Sequence, residues 1–506
     1  MKRKNNVKKR KSFIKPFLDF DKPLQIQNHK APVTRRDFLS RGLIAGAAAV
    51  LAPTVFSLAN NKAFAAVTEQ DCGIINGAGG KVPFMCVDLS GGANIAGSNV
   101  LVGKAGGQRD FLSINGYSKL GLPETMIPSL DGQTTTMDEG GLGLAFHATS
   151  PLLAGIRSFA SQTTLNNTNG SVMCARSAND TSDNPHNPMY GIYKAGADGD
   201  LLSLIGSRSS DSGGRSVAPP SMIDLSVRPT KIDGGNDARG LIDTGKLAKL
   251  LPDGDDAVNV MKAIQRISEK KLSKMKTSAE INTIIECRYL ETASAAAGDP
   301  NRTDIAADTV LNSIFTDRGL DINDFQKTAA VSKLVVNGVA GAGTIQFGGY
   351  DYHDSTRTTG DERDFRAGQQ IGIALEYAAL QNKKLMIYLF SDGSVASDGT
   401  LDETGKGIWK GDNSSTSASL MLVYNPNGMP TIANNNSQVG FFRESGSIET
   451  DATVISNNVV QLAESVVLNY MALHDEVGQF GSVLPEHGLG TTAADLDKLI
   501  AFNPLI

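Results

Sequence analysis

Residues 344–392 constrain the fold more than any other stretch of this sequence. They predict a strand, a polar loop, an amphipathic helix and a second strand at 385–390, whose unbroken apolar run is typical of a strand covered by helices on both faces. Asp351 and His353 follow the first strand, and Asp392 follows the second. Because ligands in open α/β sheets bind outside the carboxyl ends of the strands, these three side chains are candidate ligand or metal contacts.

The charge of the chain is unevenly distributed along its length. The formal net charge is −5, but the first 65 residues carry 14 Lys and Arg against 3 Asp. The remaining 34 basic and 50 acidic residues give residues 66–506 a net charge of −16. A body this acidic disfavours binding to nucleic acid or to anionic lipid. The Lys-rich start could be a nucleic-acid-binding arm, but its place ahead of an apolar run favours the basic region of an export signal.

Residues 1–65 are similar to a twin-arginine signal peptide with an extended basic region. Its elements are an arginine pair, two apolar residues after the pair and the alanines of a cleavage site: Arg35, Arg36, Phe38, Leu39, Ala63 and Ala65. The apolar run at 42–58 could instead span a membrane, but it is short and is broken by Pro53. We expect export by the twin-arginine translocase to the periplasm, and a mature protein without a stable membrane span. This route carries folded cargo, which is suggestive of a bound cofactor.

All four cysteines follow the predicted cleavage site, namely Cys72, Cys86, Cys174 and Cys287. In an oxidising compartment they could form two disulfides, with three pairings open. The sequence favours Cys72 with Cys86. No Cys/His spacing of a zinc site occurs.

The mature chain predicts one α/β domain, residues 66–506, with a helical insertion at about 240–300. Strands are predicted at 82–89, 171–175, 385–390 and 420–424, and helices at 144–160, 255–274, 278–297, 361–383 and 457–474. The runs 329–339 and 343–347 are apolar and rich in β-branched residues.

Several polar residues beside these elements have both a functional and a structural interpretation. The turn 90–94 after the first strand could hold an anion through its backbone N–H groups, or it could be only a tight turn. His186 lies in a Pro-Asn loop, where both interpretations stand. For His147, just before a helix, and for His487 in the C-terminal tail, the structural interpretation is favoured.

Together these pieces resemble an uncharacterised family of twin-arginine-exported bacterial proteins related to the sulfatase and alkaline-phosphatase superfamily. The resemblance covers nearly the whole mature chain. It rests on Leu-Ser-Gly-Gly-Ala-Asn at 89–94, on His147 and His186, on Gly-Gly-Tyr-Asp-Tyr-His at 348–353, on Ser-Asp-Gly at 391–393 and on Gly-Asp-Asn-Ser at 411–414. It implies an alkaline-phosphatase-like domain, a mostly parallel sheet sandwiched by helices with loop and helical insertions.

The resemblance also implies a site. Its metal ligands would be Asp351, His353, Asp392, His186 and Asp88, and its other binding residues would be Asp412, Asn413 and Asn94. Three positions depart from the family pattern: Asp392 stands where the family has Glu, Asn413 where it has His, and Asn94 where it has an acid. Because a cation site loses affinity when it loses a charged ligand, these departures weaken a catalytic metal centre.

Two functions therefore follow as expectations. One is a catalytically degenerate relative that serves as a binding or accessory protein of the cell envelope. The alternative is a metal-dependent hydrolase of phosphate or sulfate esters, with a divalent metal as its cofactor.

Overall fold

The computed structural model describes residues 80–128, 136–177, 184, 186–241 and 302–505. Several sequence predictions lie outside these ranges: the signal peptide 1–65, Cys72, Cys287 and the helices 255–274 and 278–297 of the insertion.

A central sheet of eight strands organises the described residues. The strands in chain order are β1 (Phe84–Leu89), β2 (Met137–Asp138), β3 (Phe146–His147), β4 (Thr168–Met173), β5 (Leu202–Gly206), β6 (Thr230–Lys231), β7 (Ala340–Phe347), β8 (Leu385–Ser391), β9 (Val395–Ala396), β10 (Gly411–Asp412), β11 (Ser419–Tyr424) and β12 (Gln438–Val439). The order across the central sheet is β12-β4-β11-β8-β1-β7-β5-β6. Every pair in it is parallel except those that β11 makes with β4 and β8. The short pairs β2–β3 and β9–β10 lie outside the central sheet.

Helices cover both faces of this sheet. In the described residues they are α1 (Ile114–Lys119), α2 (Pro151–Phe159), α3 (Gln162–Asn166), α4 (Met189–Lys194), α5 (Gly235–Gly240), α6 (Thr309–Thr316), α7 (Gln326–Val336), α8 (Thr358–Leu380), α9 (Val459–Ala472), α10 (Phe480–Val483) and α11 (Ala493–Asp497). One apolar core joins α2, α6, α7 and α8 to the sheet, and the other joins α4, α9 and α10 to its opposite face. The protein is therefore an α/β protein with a mostly parallel sheet between helices.

Alternation along the central strands supplies both cores. On β1, Met85 and Val87 belong to one core, whereas Phe84 and Cys86 belong to the other. Successive side chains of a strand point to opposite faces, so a strand covered on both sides is expected to be apolar at most positions of both faces. This explains why the run 385–390 has no polar residue.

Helices α2 and α8 pack closely because glycines face each other at their contact. A Cβ on Gly155 would lie 2.0 Å from the carbonyl oxygen of Phe365, and one on Gly368 would lie 2.0 Å from that of Leu152.

The residues at the start of α2 explain why the helix begins there. Ser150 caps the helix by accepting from the N–H of Leu153, and Pro151 occupies the first turn, where its missing N–H costs nothing.

The structure confirms the strands predicted near 82–89, 171–175, 385–390 and 420–424 and the helices near 361–383 and 457–474, with shifted ends. The helix predicted at 144–160 begins only at Pro151, and Phe146–His147 form β3 instead. The run 329–339 lies mostly in α7. The predicted Cys72–Cys86 disulfide is wrong for this structure, because the thiol of Cys86 is free and buried in the sheet. In the described part of the chain, no helix is both long and apolar enough to cross a membrane.

Candidate metal site

The carboxyl ends of three neighbouring parallel strands meet at one edge of the sheet. Leu89 ends β1 and pairs in register with Phe347, which ends β7, and with Ser391, which ends β8. The turns that follow these strands, 90–94 and 348–353 among them, are therefore brought together. This is the edge at which the sequence places its candidate ligands.

The turn after β1 is tight because a neighbouring segment lies against it. A Cβ on Gly91, which has φ +135°, would lie 2.3 Å from the backbone nitrogen of Asp351. Only glycine fits this backbone conformation and this space. The N–H groups of Gly91, Ala93 and Asn94 donate to side chains of the protein itself. These three groups therefore bond within the protein itself, as the tight-turn interpretation of 90–94 expects.

The segment after β7 places its side chains alternately inside and outside. Tyr350 and Tyr352 are buried, whereas Asp351 is exposed and His353 is half-buried. Such alternation is typical of an extended backbone. It brings the Asp351 and His353 side chains to the same outer side of the segment.

Asp412 approaches these two side chains from another part of the chain. It lies in β10, opposite Val395 of β9, on the arm that leaves β8. The imidazole Nε2 of His353 is 2.8 Å from Oδ1 of Asp351 and 3.5 Å from Oδ1 of Asp412. One ligand atom from each of the three residues lies within 4.8 Å of the other two. We call Asp351, His353 and Asp412 the outer triad.

The donor atoms of the outer triad suit a divalent metal. Ligand distances of about 2.0–2.2 Å to zinc put neighbouring ligand atoms about 3 to 4 Å apart. The 3.5 Å from His353 to Asp412 lies in this range, whereas the 2.8 Å from His353 to Asp351 is a hydrogen-bond distance that a bound metal would lengthen. One nitrogen and two carboxylate oxygens suit Zn²⁺ or Mn²⁺ better than a metal that prefers thiolates. Because the three side chains are exposed or half-buried, a metal held here would keep positions open to water or to a ligand.

Asp88 lies outside this triad and has a structural role. Its Oδ2 accepts from the backbone N–H groups of Arg215 and Ser216, at 2.8 and 3.0 Å, and so fastens the loop after β5 to the end of β1. The side chain is fully buried, and this burial raises the pKa of its carboxyl. Its oxygens are directed at this loop, as the alternation of β1 requires.

Asp392 is also fully buried, at the end of β8. Its Oδ1 accepts from the N–H of Gly91 at 2.6 Å. Its Oδ2 has no hydrogen-bond partner among the described residues and lies 3.8 Å from Nε of Arg215. Burial raises the pKa of Asp392 to about 6, and nearby Asp88 adds to this rise.

The side-chain oxygens of Asn94 and Asn413, two residues that the resemblance suggested as binding residues, are bonded within the protein. Oδ1 of Asn94 accepts from the hydroxyl of Ser98, 2.5 Å away in a buried position. Oδ1 of Asn413 accepts from the N–H and the hydroxyl of Ser415 and begins a short turn of helix. Both asparagines therefore shape the backbone near the triad.

His186 does not join the outer triad. It is buried and stacks on Phe390 of β8, with ring centroids 5.8 Å apart. Neither ring nitrogen has a hydrogen-bond partner among the described residues, and burial lowers the pKa of His186 to about 4. The imidazole is therefore neutral at pH 7.

His147 and His487 have the favoured structural roles. The ring nitrogens of His147 bond to the hydroxyl of Thr149 and the carbonyl of Met126, each at 2.9 Å. His487 is half-buried, and its Nδ1 accepts from the N–H of Leu489.

The sequence did not reveal the residues that anchor the two segments carrying the outer triad, one after β7 and one after β8. Tyr352 donates to buried Asp364 of α8. Arg357 donates to the carbonyls of Gly121 and Gly407 and stacks over the chain's single tryptophan, Trp409. The alternation Tyr-Asp-Tyr-His was a usable signal for Tyr352, but the long-range partners of Arg357 left none.

No family model matches this chain, and no curated protein matches it significantly.

Proposed function

We propose that the mature protein is a divalent-metal-binding or accessory protein of the periplasm that uses a hydrolase-like α/β scaffold without hydrolytic activity. The observation that carries this proposal is the convergence of Asp351, His353 and Asp412, whose ligand atoms lie within 4.8 Å of one another. The alkaline-phosphatase-like character of the scaffold is part of the proposal. It is supported by the mostly parallel sheet and by the motifs at the strand ends.

The surroundings of the triad support binding rather than hydrolysis. An ester hydrolase of this kind needs an activated nucleophile, which is either a side chain beside the metal or a metal-bound water. The structure bears on the first of these. The hydroxyl of Ser391 donates to the carbonyl of Leu89, and that of Ser90 contacts the Asp88 carboxylate. These two hydroxyls at the strand ends are thus engaged in the fold, as is the Asp88 carboxylate itself.

Export is the second part of the proposal. The signal-like residues 1–65, with Arg35 and Arg36, would deliver the protein through the twin-arginine translocase after it has folded. A metal could then be bound before export. The acidic mature chain suits a role without nucleic acid.

One observation favours the alternative, a metal-dependent hydrolase of phosphate or sulfate esters. Asp392 keeps a buried carboxylate oxygen without a hydrogen-bond partner in the described residues, 3.8 Å from the partly exposed Arg215. A buried acid with a raised pKa next to an arginine is the kind of group that catalytic sites use.

The experiment that separates the two functions uses mature protein exported through its own signal. Its metal content is measured by mass spectrometry, and it is then screened for hydrolysis of phosphate and sulfate monoesters with Zn²⁺ and with Mn²⁺. The proposal expects about one metal per chain and no turnover. Metal-dependent turnover would establish the alternative, and protein that binds neither metal would refute both the metal-binding role and the metal-dependent hydrolase.

A further inference from the structure

Tyr352 lies between two members of the outer triad and faces the opposite way. Its side chain is 1% exposed, whereas those of Asp351 and His353 are 51% and 38% exposed. In an extended segment the direction of one side chain sets the direction of the side chains before and after it, because all three share one backbone. The contacts that fix the phenol of Tyr352 therefore also fix the directions of the Asp351 and His353 side chains.

Three buried residues, Asn94, Asn99 and Asp364, hold that phenol in a closed ring of hydrogen bonds. The N–H of Asn94 donates to Oη of Tyr352 at 2.5 Å, and Oη donates to Oδ1 of Asp364 at 2.9 Å. Nδ2 of Asn99 donates to Oδ2 of Asp364 and to the carbonyl of Asn94, both at 2.7 Å. The ring thus joins the segment after β7, the turn after β1 and helix α8.

Burial of the Asp364 carboxylate costs folding free energy. It is 3% exposed, and burial raises its pKa to about 7, against the lowering effect of the bonds from Asn99 and Tyr352. Transfer of a carboxylate from water into the protein costs free energy that these neutral donors only partly offset. Asp364 therefore contributes more through the position it gives to Tyr352 than through its own burial.

We propose that Asp364 is a positioning residue of the metal site, which acts through Tyr352 to hold Asp351 and His353 in place for the metal. This inference rests on the proposed function and extends it to what sets metal affinity. Groups that hydrogen-bond metal-ligating side chains typically change metal affinity by about 10 to 100-fold when they are removed. Asp364 lies one step further away, since it bonds to Tyr352 between the two ligands, so we expect its effect at the lower end of this range.

A second arm of the site contacts the same tyrosine. The ring of Trp409 lies 6.3 Å from that of Tyr352, and Trp409 precedes Asp412 by three residues. Trp409 is fully buried. A change in the position of Tyr352 is thus expected to alter the surroundings of the tryptophan, which gives an optical signal from the site itself.

Helix α8 provides a matched control. Tyr377, on the same helix as Asp364, donates from its hydroxyl to buried Asp308 at 2.7 Å and accepts from Nδ2 of Asn337 at 2.8 Å. Its hydroxyl is therefore bonded in the same way as that of Tyr352. At 1.5 Å per residue, Tyr377 lies about 20 Å along the helix from Asp364. Tyr377→Phe therefore removes the same kind of bond away from the triad.

The test titrates the mature protein with Zn²⁺ and records heat and Trp409 fluorescence for wild type, Tyr352→Phe, Tyr377→Phe, Asp364→Asn and Asp364→Leu. We expect Tyr352→Phe and Asp364→Leu to weaken binding about tenfold or more. Asp364→Asn retains an acceptor for the phenol, so we expect it to bind more tightly than Asp364→Leu, and Tyr377→Phe to bind as wild type does.

The outcomes separate this inference from the proposed function. Wild type that binds Zn²⁺, with Tyr352→Phe equal to it, would overturn the inference alone. Equal weakening by Tyr352→Phe and Tyr377→Phe would also overturn it, because the effect would then be one of general stability. Wild type that binds neither Zn²⁺ nor, in a parallel titration, Mn²⁺ would overturn both. Tyr352→Phe keeps the buried ring, so its test holds even if Asp364→Leu fails to fold.

Discussion

The backbone N–H of Gly91 donates to Oδ1 of Asp392 at 2.6 Å and so joins the ends of β1 and β8. The bond occupies one oxygen of Asp392, an acid whose position at the end of a strand had made it a candidate metal ligand. It also holds Gly91 against Asp351, so the turn after β1 is the support on which one arm of the outer triad rests. An acid at a strand end can thus serve the geometry of a site without binding its metal.

Gly91→Ala tests that support. The new Cβ would lie 2.3 Å from the backbone of Asp351, at a φ of +135°. We expect a loss of about 3 kcal/mol or more in unfolding free energy, measured by urea denaturation. Gly411→Ala is the control, because nothing lies within 4 Å of its Cβ. Equal stability of the two variants would show that the turn is not so tightly packed.

Asp392→Asn tests the buried carboxylate through pH. The folded protein raises the pKa of Asp392 from 3.8 to about 6. Between these values the folded state binds the proton more tightly than the unfolded state, so the wild-type free energy of unfolding falls as pH rises. The asparagine has no such titration.

We therefore expect Asp392→Asn to match wild type near pH 4 and to exceed it by roughly 2 to 3 kcal/mol at pH 7. Urea unfolding of both proteins across this range measures the difference. A difference that does not change with pH would contradict the raised pKa.

Arg357→Lys tests the anchoring of the arm that carries Asp412. The buried guanidinium donates from Nη1 to the carbonyls of Gly121 and Gly407 and from Nε to Asp361, and the single nitrogen of a lysine cannot reproduce this geometry. We expect a loss of about 2 to 4 kcal/mol in thermal or urea unfolding.

The matched change is Arg443→Lys. Its guanidinium is 52% exposed and pairs with Glu449, so we expect a loss below about 1 kcal/mol. If the two arginines proved equally replaceable, the anchoring role of Arg357 would be refuted.

The single tryptophan offers a direct reading of metal binding. Trp409 lies between Arg357, 4.9 Å from its ring, and Tyr352. We expect Zn²⁺ to produce a saturable change in its fluorescence in wild type and none at the same concentrations in His353→Gln. An identical change in both proteins would place the metal elsewhere.

The sequence predicted the layered α/β fold and the edge of the sheet at which Asp351 and His353 lie, because both depend on local patterns. Unbroken apolar runs mark covered strands, and polar residues mark their ends. The arrangement at that edge could not be predicted in this way. Asp88 and Asp392 look like ligands in a linear sequence, and only the approach of Arg215 and Gly91 shows how their oxygens are used.

The role of Asp364 could not be predicted from the sequence either. In the sequence it is one of several charged residues at the start of a helix, and its burial beneath Tyr352 follows from long-range packing. The role of Asp412 depended on how a long polar loop folds back, which its composition does not determine.

The central claim is tested most directly by Zn²⁺ titration calorimetry of the mature wild type, Asp412→Asn and Glu403→Gln. Each variant removes one negative charge, but Glu403 is an exposed residue outside the outer triad. We predict one Zn²⁺ per wild-type chain, binding at least about tenfold weaker in Asp412→Asn, and wild-type binding in Glu403→Gln. Absence of binding in wild type, or equal affinity in wild type and Asp412→Asn, would contradict the claim.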